Sequence, residues 1–343
     1  MQFIPSGRMA CALAATLIFA SSGTLAQTLE KPKVSIAVGG KNLFYYLPLT
    51  VAEQLGYFKD EGLQVEISDF AGGSKALQAL VGGSADVVSG AFEHTIDMQV
   101  KGQNITAFVL QGRAPQIVLG VSTKNLPNYK SLQDLKGKKI GVTAPGSSTN
   151  MLASFVLAKA GIKPGDVSYI GVGTSAGALS AVRSGQIDAI ANLDPAITML
   201  QQKNDIKVIV DTRTMKDTLD VFGGPMPAAT LYASGAFIKK NPNTTQALTN
   251  AMVKALKWIQ TAGPDDIVKV VPESYMLGDR ALYTAAFLKV KEAYSPDGKI
   301  PDEGAQTALK ALQAYDPKIA GKTIDLTRTY TNDFVRKAND KQR

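Results

Sequence analysis

Beyond Lys33 the chain alternates short apolar runs with stretches in helical spacing. Val34–Val38 and Gln64–Phe70 read as strands, and Asp86–Ser89 as a third. Between them, Pro48–Phe58 places Leu49, Ala52, Leu55 and Phe58 on one helical face, and Ser74–Val81 is helical up to Gly82-Gly83. The series returns further on. Lys139–Thr143, Val167–Val172 and Asp188–Asn192 read as strands, with helices over Thr149–Ala160 and Ala176–Ser184. Strand and helix in alternation predict βαβ units and a mainly parallel sheet.

The two halves also align. Ala76–Ser89 (ALQALVGGSADVVS) lies without gaps on Ala178–Ala191 (ALSAVRSGQIDAIA), with five of fourteen positions identical. The identities include Gly83/Gly185 and Asp86/Asp188. The pattern therefore predicts two similar α/β lobes. Three helical stretches follow, Thr244–Thr261, Ala281–Ala293 and Glu303–Gln313, then a polar tail at Asn332–Arg343. These helices are expected to return to the first lobe. Lobe 1 is then discontinuous, residues 33–118 and 228–343, and lobe 2 spans 119–227. The crossings at Pro115–Ser122 and Pro225–Ala233 are extended and Pro-bounded, as a two-stranded hinge requires.

Composition narrows the chemistry. The 343 residues include one Cys, one His and one Trp. That excludes a disulfide scaffold and a Cys/His zinc site, and leaves nucleophilic catalysis only His94 as a base. No metal site and no cofactor are expected. Residues 1–26 read as a secretory signal: Arg8, an apolar run from Met9 to Ala20, and small residues up to a cleavage point after Ala26. Cleavage removes Cys11 and leaves 317 residues with net charge +7. The basic residues are scattered without aromatic interleaving, so no nucleic-acid partner is expected. A soluble, exported monomer is the expectation.

Ligands of open α/β sheets bind beyond the carboxyl ends of the strands. Here those ends are small and polar: Gly39–Tyr46, Ala71–Ser74 and Ser89–His94, then Ala144–Thr149, Val172–Ala176 and Asn192–Pro195. Ser147, Ser148 and Thr149 open a helix after a strand, a place where unpaired backbone N–H groups and hydroxyls suit an anion. One of the two serines is also expected to cap that helix. Gly73 and Ser74 form the matching corner in the first lobe. Phe44 and Tyr45 are candidates to stack on an organic body, with Asn42 beside them. Glu93 and His94 follow the third strand. Thr174, Asn192 and Asp194 occupy the opposite loops, Asp194 equally suited to capping a helix.

Some stretches are more specific. Leu55–Ile67 (LGYFKDEGLQVEI), Phe70–Ser74 (FAGGS) and Ser131–Val142 (SLQDLKGKKIGV) closely resemble the sulfonate, taurine and nitrate type of periplasmic binding protein, the group that includes the NMT1/THI5-like domain. Pro145–Asn150 and Gly185–Ala191 fit the same pattern, so the resemblance runs from about Lys33 to Tyr330. It implies a type II periplasmic-binding-protein fold that closes on a solute like a hinged clamp. It also implies a periplasmic location and delivery to an ABC transporter permease in the inner membrane. The aromatics near the cleft favour a small organic anion, a sulfonate or carboxylate, over an inorganic one. Two alternatives come with the family: a receptor for a thiamine-pyrimidine precursor, and a pyrimidine-synthesis enzyme. The enzyme is associated with a cysteine-rich motif that this chain lacks, so no catalytic residues are expected.

Overall fold

The computed structural model describes residues 1–3 and 28–342, so the expected signal over residues 1–26 lies almost wholly outside the described residues. The strands are β1 (Lys33–Val38), β2 (Gln64–Asp69), β3 (Val87–Ala91), β4 (Ile105–Leu110), β5 (Val118–Ser122), β6 (Lys139–Val142), β7 (Ser168–Gly171), β8 (Ala189–Asn192), β9 (Ile206–Asp211) and β10 (Ala229–Ser234). They form two five-stranded sheets, in the orders β2-β1-β3-β10-β4 and β7-β6-β8-β5-β9. In the first, β1 pairs in parallel with β2 and β3, and β10 runs against both its neighbours. In the second, β6 pairs in parallel with β7 and β8, and β5 runs against β8 and β9.

Each sheet thus has one reversed strand, and each reversed strand is the one that arrives from the other lobe. The chain leaves the first sheet after β4 and enters the second through β5. It returns through β10, which inserts between β3 and β4. The two crossings lie side by side: Ala228 N–H donates to the Gly112 carbonyl, and Gln111 N–H to that of Ala229. Every residue of β3 and of β5 is buried, as central strands covered on both faces require.

The helices before the return crossing are α1 (Leu47–Gln54), α2 (Tyr57–Asp60), α3 (Gly73–Val81), α4 (Glu93–Val100), α5 (Ser148–Lys159), α6 (Ala176–Ser184), α7 (Ala196–Gln202) and α8 (Met215–Phe222). The rest are α9 (Gly235–Lys240), α10 (Pro242–Thr261), α11 (Pro264–Val270), α12 (Arg280–Val290), α13 (Asp302–Gln313) and α14 (Asp333–Lys341). Among the described residues no helix is long and apolar enough to cross a membrane.

The repeat seen in the sequence is structural. It maps onto α3–β3 and α6–β8, and each helix is followed by a glycine in the left-handed region, Gly83 at φ +78° and Gly185 at φ +81°. The matched aspartates do the same work. Asp86 accepts the Ser35 N–H at the start of β1, and Asp188 accepts the Lys139 N–H at the start of β6. Two expectations need correction. The single helix over Pro48–Phe58 is broken at Gly56, whose φ of +75° ends α1 and opens α2. The polar tail is helix α14, which buries Val335 and Ala338 and sets Phe334 edge-on against Phe108. Its apolar stripe is too short to outweigh the surrounding charges in the sequence pattern.

Candidate functional site

The strand ends of the two lobes face each other, and the seam between them has two parts. In one, polar groups from the two lobes satisfy each other. Ser74 N–H donates to Ser147 Oγ at 3.0 Å, and Ser74 Oγ donates to the Pro145 carbonyl at 2.9 Å. Thr174 Oγ1 donates to Asn42 Oδ1 at 3.1 Å, and Phe44 N–H to the Asp194 carbonyl at 3.3 Å. His94 Nε2 lies 3.3 Å from the Gly146 carbonyl, which only accepts, so the proton sits on Nε2. Nδ1 is then the acceptor for the Tyr232 hydroxyl at 3.0 Å. Burial holds this imidazole neutral and brings its pKa down to about 4. Gly72 permits the close approach, since a Cβ there would stand 2.8 Å from that of Ala144.

In the other part, buried polar groups lack partners. The Glu93 carboxylate is 5% exposed and its Oε2 has no hydrogen-bond partner. Burial raises its pKa to about 7, although its own backbone N–H counters this. The Tyr45 hydroxyl is also unpartnered; Ser148 faces it without completing a hydrogen bond. Gln111 Oε1 and both amide atoms of Gln116 are unpartnered too. One more, Gln246 Oε1, lies away from the seam on α10. Native interiors rarely leave such groups unpaired, so the unmet Glu93 carboxylate at the gap marks a place able to meet something else.

Glu93 and Ser148 open onto a gap between the lobes. From the second lobe it is walled by Met151, Leu152 and Phe155 of α5 and by Phe222 at the end of α8. The crossings contribute Pro115, Ile117 and Met226, and the end of α13 brings Leu312 and Tyr315. Phe155 and Phe222 stack at 5.0 Å with 11° between their planes. The gap measures about 10 Å³, room for one water molecule at most. Anything larger than a water molecule fits there only if the lobes part. Among the described residues no group of three or more His, Cys, Asp or Glu is placed to hold a metal ion.

The structure sorts the residues expected from the sequence. Glu93 and Ser148 line the gap. Tyr45 is buried with its hydroxyl unpartnered, and Gly73 stands close to His94 and to the Tyr46 hydroxyl. Asn42, Ser74, His94, Ser147 and Thr174 are taken up in cross-lobe hydrogen bonds. The remaining four serve the scaffold. The Phe44 ring packs 4.5 Å from Tyr283 and 6.3 Å from Phe287, inside the core. Thr149 Oγ1 accepts the Thr143 N–H, Asn192 bonds to the Gly173 carbonyl, and Asp194 holds Arg213 and the Thr198 N–H. Sequence reading missed the apolar wall entirely. Met151, Leu152 and Phe155 carry ordinary helical spacing, which does not distinguish a gap from a core.

Two α/β lobes joined by two crossings, with strand ends meeting at an enclosed seam, are the fold of the two-lobed periplasmic binding proteins. The NMT1/THI5-like family model matches residues 43–266, and the chain belongs to that family. A solved protein structure from Bordetella bronchiseptica RB50 is 64% identical, covers 92% of this chain and 99% of its own, and superposes with a TM-score of 0.91. The Bacillus subtilis (strain 168) protein named "Putative binding protein YtlA" is 26% identical over 279 residues, 79% of each chain. The alkanesulfonate-binding protein SsuA from Xanthomonas axonopodis pv. citri, bound to MOPS, shares the fold at a TM-score of 0.68 and 18% identity, over 89% of this chain and all of its own.

Proposed function

We propose that this chain is an exported receptor that captures a small organic solute between its lobes and delivers it to an ABC importer. The observation that carries this reading is the seam itself. The buried Oε2 of Glu93 stands without a partner where residues of both lobes converge on one gap. A solute that meets both lobes at once shifts the population toward closure, which is the signal an importer needs. In this reading the lobes divide at residues 118/119 and 227/228, and the hinge is the pair of crossings where Ala228 N–H meets the Gly112 carbonyl and Gln111 N–H that of Ala229.

For the solute, the sequence favoured a sulfonate or carboxylate. The first amides of α5 support an acidic group, because the N–H groups of a helix's first turn have no intrahelical acceptor. The buried Glu93 carboxylate favours a solute that donates hydrogen bonds, such as the pyrimidine precursor of the alternative reading. An enzyme role has less support. His94, the single histidine, is held between Tyr232 and Gly146 rather than beside a nucleophile.

A thermal-shift panel tests the receptor reading. Sulfonates, carboxylates, nitrate, amines and pyrimidines are each added to the purified chain, with small-angle scattering alongside. One class should raise the melting temperature in a saturable way, as RT ln(1 + [L]/Kd), and reduce the radius of gyration. A panel with no saturable response would remove the reading.

A further inference from the structure

The lining of the gap divides sharply by chemistry. Among its described residues Glu93 is the one charged side chain. Ser148 and the Tyr315 hydroxyl are the other polar side-chain groups, and the remainder is hydrocarbon and aromatic surface. Among the described residues no lysine or arginine lines it. Arg213 is buried in the second lobe but is consumed by Asp194 and Asp211. Lys159 caps the Val221 carbonyl from the exposed side of α5 and lies over the Phe155 ring. A buried carboxylate without a cation costs free energy unless it is protonated or meets a donor.

We infer that the solute is an organic amine, with N–H donors that complete Glu93 and an apolar body seated against Met151, Leu152 and Phe155. The inference rests on the receptor reading and specifies its ligand. The ammonium supplies the missing partner for Oε2, and the hydrocarbon part replaces contacts that the walls of the gap now make with each other. A bare anion would bring a second negative charge to the same buried carboxylate and leave its lone pairs unmet. The groups that face Glu93 do not alter this balance. Tyr45, Tyr46, Tyr232 and Tyr315 are all held in their neutral form, chiefly by burial. His94 on the same helix is neutral for the same reason.

The charge of the solute sets the sign of a proton linkage. An amine binds the ionised carboxylate, so binding releases a proton below about pH 7 and affinity rises with pH until Glu93 is fully ionised. An anion binds best to the protonated acid, and its affinity falls over the same range. Benzylamine and hexylamine, against benzenesulfonate and hexanesulfonate, make the comparison at matched apolar bodies. Each is titrated calorimetrically into the purified chain between pH 5.5 and pH 8, in buffers of different ionisation enthalpy.

The amines should bind at least about tenfold more tightly than their sulfonates, with affinity gaining up to about tenfold per pH unit below pH 7. Glu93→Gln should weaken the amines by about tenfold or more and abolish the pH dependence. Met151→Trp, which fills the gap from α5 and leaves Glu93 in place, should weaken them as well. Tighter binding of the sulfonates, with proton uptake, would overturn the amine while leaving the receptor standing. No heat from any of the four would also overturn it, and the broader panel above then decides the receptor reading separately.

Discussion

Two buried carboxylates stand at nearly equivalent strand ends of the two lobes, one position apart when the internal repeat is extended. Glu93 opens α4 after β3, and Asp194 precedes α7 after β8. Both are almost fully buried, at 5% and 1% exposure. Their partners differ completely. Asp194 accepts the Thr198 N–H at 2.8 Å and the Arg213 guanidinium at 3.2 Å, and Arg213 in turn binds Asp211 and Gln201. Glu93 Oε2 has no hydrogen-bond partner among the described residues. The contrast separates architecture from recognition. An acid whose charge is met within its own lobe fixes the loop that carries it. An acid left unmet at the seam keeps its binding capacity for whatever the two lobes close upon.

Breaking the satisfied acid should have the largest effect. Arg213→Met removes the cation at Asp194 and leaves that carboxylate buried without its charge partner. Loss of one member of a buried pair costs about 3–5 kcal/mol, which urea denaturation will read as an earlier midpoint. An unchanged midpoint would mean that Asp194 does not depend on its ion pair. The unmet acid should respond in the opposite direction. Glu93→Gln abolishes an ionisation that burial opposes, and the shift from the ordinary 4.5 to about 7 corresponds to about 3 kcal/mol gained above pH 7. The substituted amide remains unpaired in part, so the gain is confined to the charge. A variant less stable than wild type at pH 8 would show that Glu93 has an internal partner after all.

This contrast was not legible in the sequence, and the reason is physical. Glu93 and Asp194 look alike as acids at strand ends, and Arg213 lies 19 residues beyond Asp194 with β9 between them. Only tertiary packing decides which acid receives it. Features set by local periodicity were readable: the paired lobes, the glycine-closed helices α3 and α6, and the two crossings. The serine-glycine corners read as ligand contacts, and in the structure Ser74 and Ser147 bond to each other across the seam. Tyr315 and Phe222 reach the gap from the ends of α13 and α8, and nothing local distinguishes them from core residues. Gln116 does carry a local signal. It follows Pro115 at a crossing, and its φ of +60° sets it apart from an ordinary extended residue once the backbone is known.

The pH dependence of stability sharpens the comparison next. Glu93 is raised to about 7, so between pH 4.5 and 7 the native state holds a proton that the unfolded chain has lost. Its contribution therefore falls as pH rises, by up to about 1.4 kcal/mol per unit. His94 is lowered to about 4, so between pH 4 and 6.5 the unfolded chain holds the extra proton. Its contribution rises with pH at the same limiting slope. The two cancel between pH 4.5 and 6.5 while both residues are present. Glu93→Gln should unmask a rise in stability from pH 4 to 6.5, and His94→Gln a fall from pH 4.5 to 7. Melting temperatures across that range check both signs, and parallel curves for the two variants would refute the pairing of opposite shifts.

The smallest effect belongs to the satisfied half of the seam. Ser147→Ala deletes the oxygen that accepts the hydrogen bond of the buried Ser74 N–H. An unmet buried donor costs about 1–2 kcal/mol. The cost falls on the closed arrangement alone, because parting the lobes returns the N–H to water. Closure is common to every solute, so Ser147→Ala should weaken all ligands by a similar factor, about tenfold, whatever their charge and with no change in pH dependence. Glu93→Gln, by contrast, should discriminate by charge. Titrating both variants with one amine and one sulfonate separates the two roles. If Ser147→Ala weakened only the sulfonate, the serine would be a ligand contact rather than a closure contact, and the division of the seam into a paired half and a receiving half would fail.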